Sequence, residues 1–583
     1  MYRWTRFVVS VGFCSSSGLL GCSVLLPSNN IEPPQPALAA HLVRVNSVGY
    51  VADRVKLVTV VLPTGTSSLA TATAELRDVA SGTVAATFEL TGPTADAPTG
   101  TTIYLGDFSS FTTPGEYYVS VPALPDGDLP AQSARFRIAA DVFRDTLERA
   151  VLAMYGQRCG QAVSITRDDV RWSHAACHLE DAYLDYLTGE TKKQASVGGW
   201  HDAGDYGKYV TNAAFSVGTM LAAWEHFQPQ LAALSLPALP EHGGALPDYL
   251  DEVKFELDWL LTTQRDDGGV VHKLTALDFE GDVMPEAAVA RRYFTPVGTA
   301  ATADFVAVMA EAARVYAPLD MTLAASYLAA ARRGYTFLAA NAGPPVPDTK
   351  DTFKTGGYGQ RTDDQNRLWA AAELWQTTGE APFLADLEAR IDVEVPAGKS
   401  EVDDSFDWGN PTNLGRFTYL LSAREGRNPT LVARLRAAAI AAADRLTDNA
   451  RASGFGRGLT GYWWGSNGAV ARAAMNLWVA HRLVPDPKYL DAIAMQLDHL
   501  LGRNFYDRSQ VTGVGYNPPR QPHHRPSMAG GRNKPPWPGL LVGGSDSSAT
   551  TWRDDFSAYS LNEVAINWNA AFIYATAALT PAP

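Results

Sequence analysis

A mainly α-helical fold is expected, an (α/α)6 barrel preceded by a small β-sandwich, and three features of the sequence predict it. Residues 42–139 carry short runs of β-branched and aromatic residues separated by turn formers. From residue 141 almost to the end the texture becomes Ala- and Leu-rich with helical periodicity, in about a dozen segments. Between those segments lie long loops rich in Gly, Pro, Trp and Asp, and loops longer than a connection needs usually carry function.

The leader comes first in the chain. Arg3 and Arg6 precede a short apolar stretch ending in Leu19-Leu20-Gly21-Cys22, similar to a bacterial lipobox, so residues 1–22 read as an export signal with Cys22 as the lipidated residue. A rival cut follows Ala37-Leu38-Ala39, which would give a freely secreted protein. The apolar stretch falls short of the roughly 20 residues a membrane span requires, so the only membrane contact expected is that anchor. Residues 23–40, rich in Pro and Asn, read as a tether.

The β-type runs at 56–62, 83–90, 101–105, 115–121 and 134–138 are spaced as in a sandwich of about one hundred residues, assigned to 41–140. They show no clear row of aromatics, so the sandwich reads as a buttress. Residues 141–583 form the helical part. In 246–264, Leu250, Val253, Leu257 and Leu261 share one face, with Asp251, Glu252, Lys254 and Asp258 on others. Equivalent segments occupy 206–227, 302–316, 323–340, 368–378, 431–446, 468–483 and 561–579. Their number fits a closed double ring, although an α-solenoid uses the same period.

Composition narrows the function. With 46% hydrophobic and 19% charged residues the chain is globular, and a net charge of -14 argues against nucleic acid or anionic lipid as partner. Only 4 cysteines occur, too few for a disulfide scaffold.

Two constellations carry chemistry. In Gly198-Gly199-Trp200-His201-Asp202-Ala203-Gly204-Asp205-Tyr206-Gly207-Lys208-Tyr209, two carboxylates precede a helix whose N-H groups would hold them ionised, as a general base requires; Asp is equally a favoured N-cap. Glu563, in Asn562-Glu563-Val564-Ala565, stands among apolar and aromatic neighbours, where burial would keep it protonated as a general acid must be; a first-turn Glu complementing a helix dipole is the plain alternative. Glycosidic cleavage needs such an acid and base. His523, His524 and Arg525 lie in a Gly- and Pro-rich loop; the histidines suit a metal or simply a polar loop, and the guanidinium suits sugar oxygens. Cys159, Cys177, His178 and His201 offer the donors of tetrahedral zinc, while a Cys159-Cys177 disulfide satisfies the same sequence in an exported protein. Trp464, Tyr559 and Trp568 are the aromatics best placed to lie against pyranose faces, although core packing is the commoner use of such residues.

The Asp-Ala-Gly-Asp box, the Asn562-Glu563-Val564-Ala565 stretch and the 511–525 segment together resemble glycoside hydrolase family nine, and Arg44-Val45-Asn46-Ser47-Val48-Gly49-Tyr50 resembles the N-terminal immunoglobulin-like module of one branch. The resemblance implies an inverting hydrolase of β-1,4-glucan, acting within chains, with β-glucan as partner and a single chain as the working unit. Exo-action on cello-oligosaccharides or glucosaminides, or glycan binding without cleavage, are the alternatives. It implies Asp205 as base, Asp202 as its partner in holding water, Glu563 as proton donor, and His523 and Arg525 as contacts to sugar hydroxyls. It also implies structural Zn2+ on Cys159, Cys177, His178 and His201. Structural Ca2+ on Asp363, Asp364 and Asp407 is implied less directly, because the acidic pair expected before Trp369 reads Gln365-Asn366.

Overall fold

The computed structural model describes residues 40–124, 131–184, 192–349, 351–393, 400–529 and 534–583. The export signal, Cys22 and all but the last residue of the tether lie outside the described residues.

Strands β1 (Val43–Arg44), β2 (Gly49–Tyr50), β3 (Leu57–Val61), β4 (Thr73–Asp78), β5 (Val84–Asp96), β6 (Thr101–Asp107), β7 (Gly115–Ser120) and β8 (Phe136–Ile138) form one sheet in the order β1-β3-β6-β5-β4-β7-β8-β2. Strand β5 makes it two-layered: its first half pairs with β4 and its second half with β6, with a register break between Thr91 and Thr94. The layers close over Tyr50, Val58, Val60, Leu76, Val119 and Phe136. Alternation survives as expected: Phe136 and Ile138 are buried while Arg137 between them is exposed.

The sandwich is fixed to the helices through the Asn46-Ser47 segment. Asn46 Nδ2 donates to buried Asp498 (2.9 Å) and Ser47 Oγ to the Leu501 carbonyl (2.7 Å). Thr59 Oγ1 donates to the Gly454 carbonyl (2.6 Å), and Val61, Ile103 and Phe455 close an apolar seam beside it. Burial, opposed by Arg503, pushes Asp498 up to about 7. Asn46→Ala leaves that carboxyl without its amide, so a loss of about 2 kcal/mol is expected in denaturant unfolding with little change in kcat.

The helical part contains α1 (Arg144–Gly156), β9 (Val163–Arg167), β10 (Val170–His174), β11 (Lys208–Tyr209), α2 (Val210–Ala232), α3 (Asp248–Leu261), β12 (Lys273–Thr275), β13 (Tyr293–Phe294), α4 (Thr299–Tyr316), α5 (Met321–Ala340), α6 (Asp364–Thr378), α7 (Ala381–Ile391), α8 (Thr412–Leu421), α9 (Pro429–Ala452), α10 (Ser466–Leu483), α11 (Pro487–Leu500), α12 (Arg525–Ala529), α13 (Tyr559–Asn562) and α14 (Ile566–Leu579). Helix α2 packs on α4, α4 on α6, α6 on α8, α8 on α10, α10 on α14, and α14 on α2 again. That closure distinguishes an (α/α)6 barrel from a solenoid, whose end helices never meet. Helices α1, α3, α5, α7, α9 and α11 pack outside the inner six. An inner helix is enclosed on every side, and α14 is accordingly buried at all but one of its positions.

The expected segment 561–579 is not continuous. It breaks between α13 and α14, where Glu563 is extended (φ -69°, ψ 158°). Pairing outcompetes the helix there: Glu563 bridges to His523 and Val564 to Val542, while the Gly543 N-H donates to the Glu563 carbonyl (2.8 Å). Among the described residues no helix is long and apolar enough to cross a membrane.

Candidate active site

Asp205, Tyr358, Asp407, Trp408, Trp464 and Glu563 each lie just before an inner helix, and all line one cavity of about 370 Å³. Five of the six inner helices, α2, α6, α8, α10 and α14, therefore begin at the same end of the barrel, and the segments entering them build its mouth. Asp202, Tyr209, Phe279 and Trp568 complete the wall.

The two aspartates are held by side chains and one loop amide rather than by the N-terminal N-H groups of helix α2. Asp205 Oδ2 accepts from the Gly207 N-H (3.0 Å) and from Tyr209 Oη (2.9 Å). Asp202 accepts from Asn212 Nδ2 (2.8 Å) and from the Tyr358 hydroxyl. The expectation that helix N-H groups hold both ionised is thus corrected: burial, with Asp205 as neighbour, pushes Asp202 up to about 8. Two like charges in one buried pair are unfavourable, and Asp202 is the carboxyl pushed toward its protonated form.

Glu563 faces the same space. Burial first, then the charges of Asp205 and Asp202, push its carboxyl well above the usual range, against a hydrogen bond from the Gly204 backbone. Gly204 must be glycine: a Cβ there would stand 2.2 Å from the His523 carbonyl oxygen. The box, the His523 segment and Glu563 are consequently locked as one unit. Asp554, unremarked in the sequence, fastens it from behind by accepting from the Arg520 and Gln521 N-H groups (2.8 Å each) and from Arg508 (2.7 Å).

His523 Nδ1 lies 2.8 Å from the Phe556 carbonyl, which fixes the ring and burial lowers its pKa. Arg525 is largely committed to backbone carbonyls, Nη1 to Gly204 (2.8 Å) and Nε to Glu280 (3.0 Å). Its visible work is to tie the base-bearing box to the loop carrying Phe279. Trp464 and Tyr559 are half exposed, 50% and 52%, with ring centroids 5.3 Å apart. Trp568 lies in the first turn of α14, one wall of the cavity, packed so closely that a Cβ on Gly465 (φ +85°) would come within 2.4 Å of it. Phe279 (48% exposed) is an aromatic on the cavity wall that pattern reading missed, because it sits in a loop with no periodicity. Tyr209 and Tyr358 were missed too, although Tyr209 belongs to the box and Tyr358 follows two glycines.

Cys159, Cys177, His178 and His201 converge, with their donor atoms all within 4.8 Å of one another. Both thiols are free, which excludes the disulfide reading. Their sulfurs are 3.8 Å apart, with Cys159 Sγ 3.4 Å from His178 Nδ1 and Cys177 Sγ 3.8 Å from His201 Nε2. Thiolates each 2.3 Å from a tetrahedral ion stand about 3.8 Å apart, so donor set and spacing fit zinc. The cluster joins the chain after α1 to the box: the Cys159 N-H donates to the Gly199 carbonyl (2.8 Å) and the His201 N-H to that of Gln157 (2.7 Å).

The acidic candidates for calcium are not gathered. Asp363 pairs with Arg367 (2.9 Å), and Asp407 pairs with Arg472 and accepts from Asn567 (2.8 Å each) in the cavity wall, while Asp364 belongs to the first turn of α6. The arrangement gives the calcium expectation no support: guanidinium groups already neutralise two of the three carboxylates.

The family description "Glycosyl hydrolase family 9" matches residues 143–576, and "Cellulase N-terminal ig-like domain" matches 39–125. Endoglucanase D of Acetivibrio thermocellus is 43% identical over 92% of this chain and 83% of its own length. A metagenome-derived glycoside hydrolase family 9 endoglucanase superposes with TM-score 0.85 at 36% identity, covering 92% of this chain and 99% of that one. A zinc-binding triple mutant of a family 9 endoglucanase follows with TM-score 0.81 at 31% identity, covering 92% and 100%.

Proposed function

Because the chain belongs to glycosyl hydrolase family 9, we propose that it is an endo-acting β-1,4-glucanase that inverts the anomeric centre, with Asp205 as base and Glu563 as acid. The observation that carries this reading is two carboxyl groups of opposite disposition on one cavity: Asp205 facing donors, Glu563 buried and pushed up. Asp205 takes a proton from water as the oxygen attacks the anomeric carbon. Glu563 protonates the departing glycosidic oxygen, and Asp202 helps to orient the water. A direct displacement of this kind requires a water molecule between base and sugar, which the cavity at Asp205 can admit.

Trp464, Tyr559, Trp568 and Phe279 are assigned to pyranose faces along the cleft, and His523 to sugar hydroxyls. Arg525 reaches sugar only with groups left over from the two carbonyls it already serves. The cysteine and histidine cluster is assigned to structural zinc, a reading supported by its donor set and by the zinc-binding relative. When bound, the ion would cross-link the box to the end of α1 and take no part in proton transfer. A single chain is taken as the working unit, and the leader sequence supports export.

Endo-action is tested on carboxymethylcellulose. A steep fall in viscosity for few reducing ends is expected; slow thinning with abundant soluble sugar would favour an exo-acting enzyme.

A further inference from the structure

Beside the mouth of the barrel lies a buried amine with no place in the reaction above, that of Lys273. Lys273 begins β12, and its cross-strand partner is Tyr209 of β11, the residue whose hydroxyl donates to Asp205. Cross-strand partners carry their side chains on the same face of the sheet, so the ammonium is delivered beneath the base. It is 4% exposed, and lies 5.6 Å from the Tyr209 ring centroid. Lys273 Nζ donates to the Gly356 carbonyl (2.7 Å) and to Thr355 Oγ1 (3.2 Å). The segment it grips serves both aspartates: the Gly356 N-H donates to Tyr209 Oη (3.1 Å) and the Tyr358 hydroxyl to Asp202. His272 holds the next carbonyl, Gly357 (3.0 Å), but burial lowers its pKa to about 4, so it is a neutral tether.

We propose that Lys273 is a positioning residue for the base, fastening the 355–358 segment that hydrogen-bonds both aspartates and supplying the positive charge that favours an ionised Asp205. Groups facing Asp205 from the surrounding elements are Asp202 in its own loop, Glu563 before α14, His523, Tyr209, Tyr358 and Lys273. Of these, the two carboxyls oppose ionisation of Asp205. Burial lowers the Lys273 amine to about 8, with Asp205 acting in the other direction, so the amine stays charged on the acid side of neutrality.

The proposal rests on Asp205 as base and is tested separately from it. The pH dependence of kcat/KM on a soluble cello-oligosaccharide is measured for the wild type, Lys273→Met and Lys273→Arg, with melting temperature recorded for each. Removing a nearby positive charge disfavours the anionic form of the base. In Lys273→Met the acid limb should therefore move up by about one pH unit, and kcat should fall roughly tenfold or more while KM changes little. Lys273→Arg should return the acid limb to its wild-type position even if kcat recovers only in part. If Lys273→Met does not fold, Lys273→Arg decides: an acid limb displaced despite the retained charge overturns the proposal. An unmoved limb in Lys273→Met, or near-native kcat, also overturns it. An active Asp205→Asn would instead remove the base assignment itself.

Discussion

Glu563→Gln is expected to lower kcat on cello-oligosaccharides about 10³-fold, because an amide of the same shape has no proton to give the leaving oxygen. Fold and metal content should be unchanged, since the Glu563 backbone, not its carboxyl, pairs with His523 and Gly543. The loss should shrink on an aryl glycoside with an acidic phenol, whose departure needs little protonation. Asp205→Asn should be as damaging and should show no such relief, because water must be activated whatever leaves. In the wild type, the raised Glu563 pKa places loss of the acid proton on the alkaline side, so activity falls as pH rises through it. Equal loss in Glu563→Gln on both substrate types, or near-native turnover in either variant, would refute the assigned role.

Stripping the metal should have the second largest effect. The cluster is the cross-link between the end of α1 and the loop carrying both aspartates. Without an ion, two thiols and two imidazoles are left crowded in a largely buried site. Chelation, or Cys177→Ser, should lower the melting temperature by on the order of 10 °C. Metal analysis should give one zinc per chain, and added zinc should restore the chelated wild type but not the variant. Unchanged melting with zinc removed would contradict the structural role.

How much of this could be read from residues alone follows from what kind of contact fixes each part. The β-block and the helical stretch were legible because alternation and helical period record which face is buried, as in Phe136-Arg137-Ile138 and along α3. Closure of the ring was not, because the contact of α14 with α2 leaves no local trace in either segment. The break at Glu563 was hidden for a similar reason: Val564 and Ala565 continue an apolar helical pattern, while the bridges that straighten them come from Val542 and His523. At the site, the box and Glu563 stood out by composition, and both line the cavity. Arg525 was legible as a donor but not as one engaged by the carbonyls of Gly204 and Glu280. The engagement of Asp407 was hidden because its partner Arg472 is 65 positions away in sequence, on α10. Lys273 gave no signal, since a lysine in a short strand is ordinarily solvated and the β11 and 355–358 segments that help to bury it are distant in sequence.

The measurement that bears most directly on paired carboxyls working across a water is the configuration of the first sugar released. Followed by proton NMR from the first minutes of hydrolysis of a soluble β-1,4-glucan, before mutarotation, the new reducing end should appear as the α-anomer. A new reducing end appearing first as the β-anomer would mean a covalent intermediate and would contradict the roles given to Asp205 and Glu563.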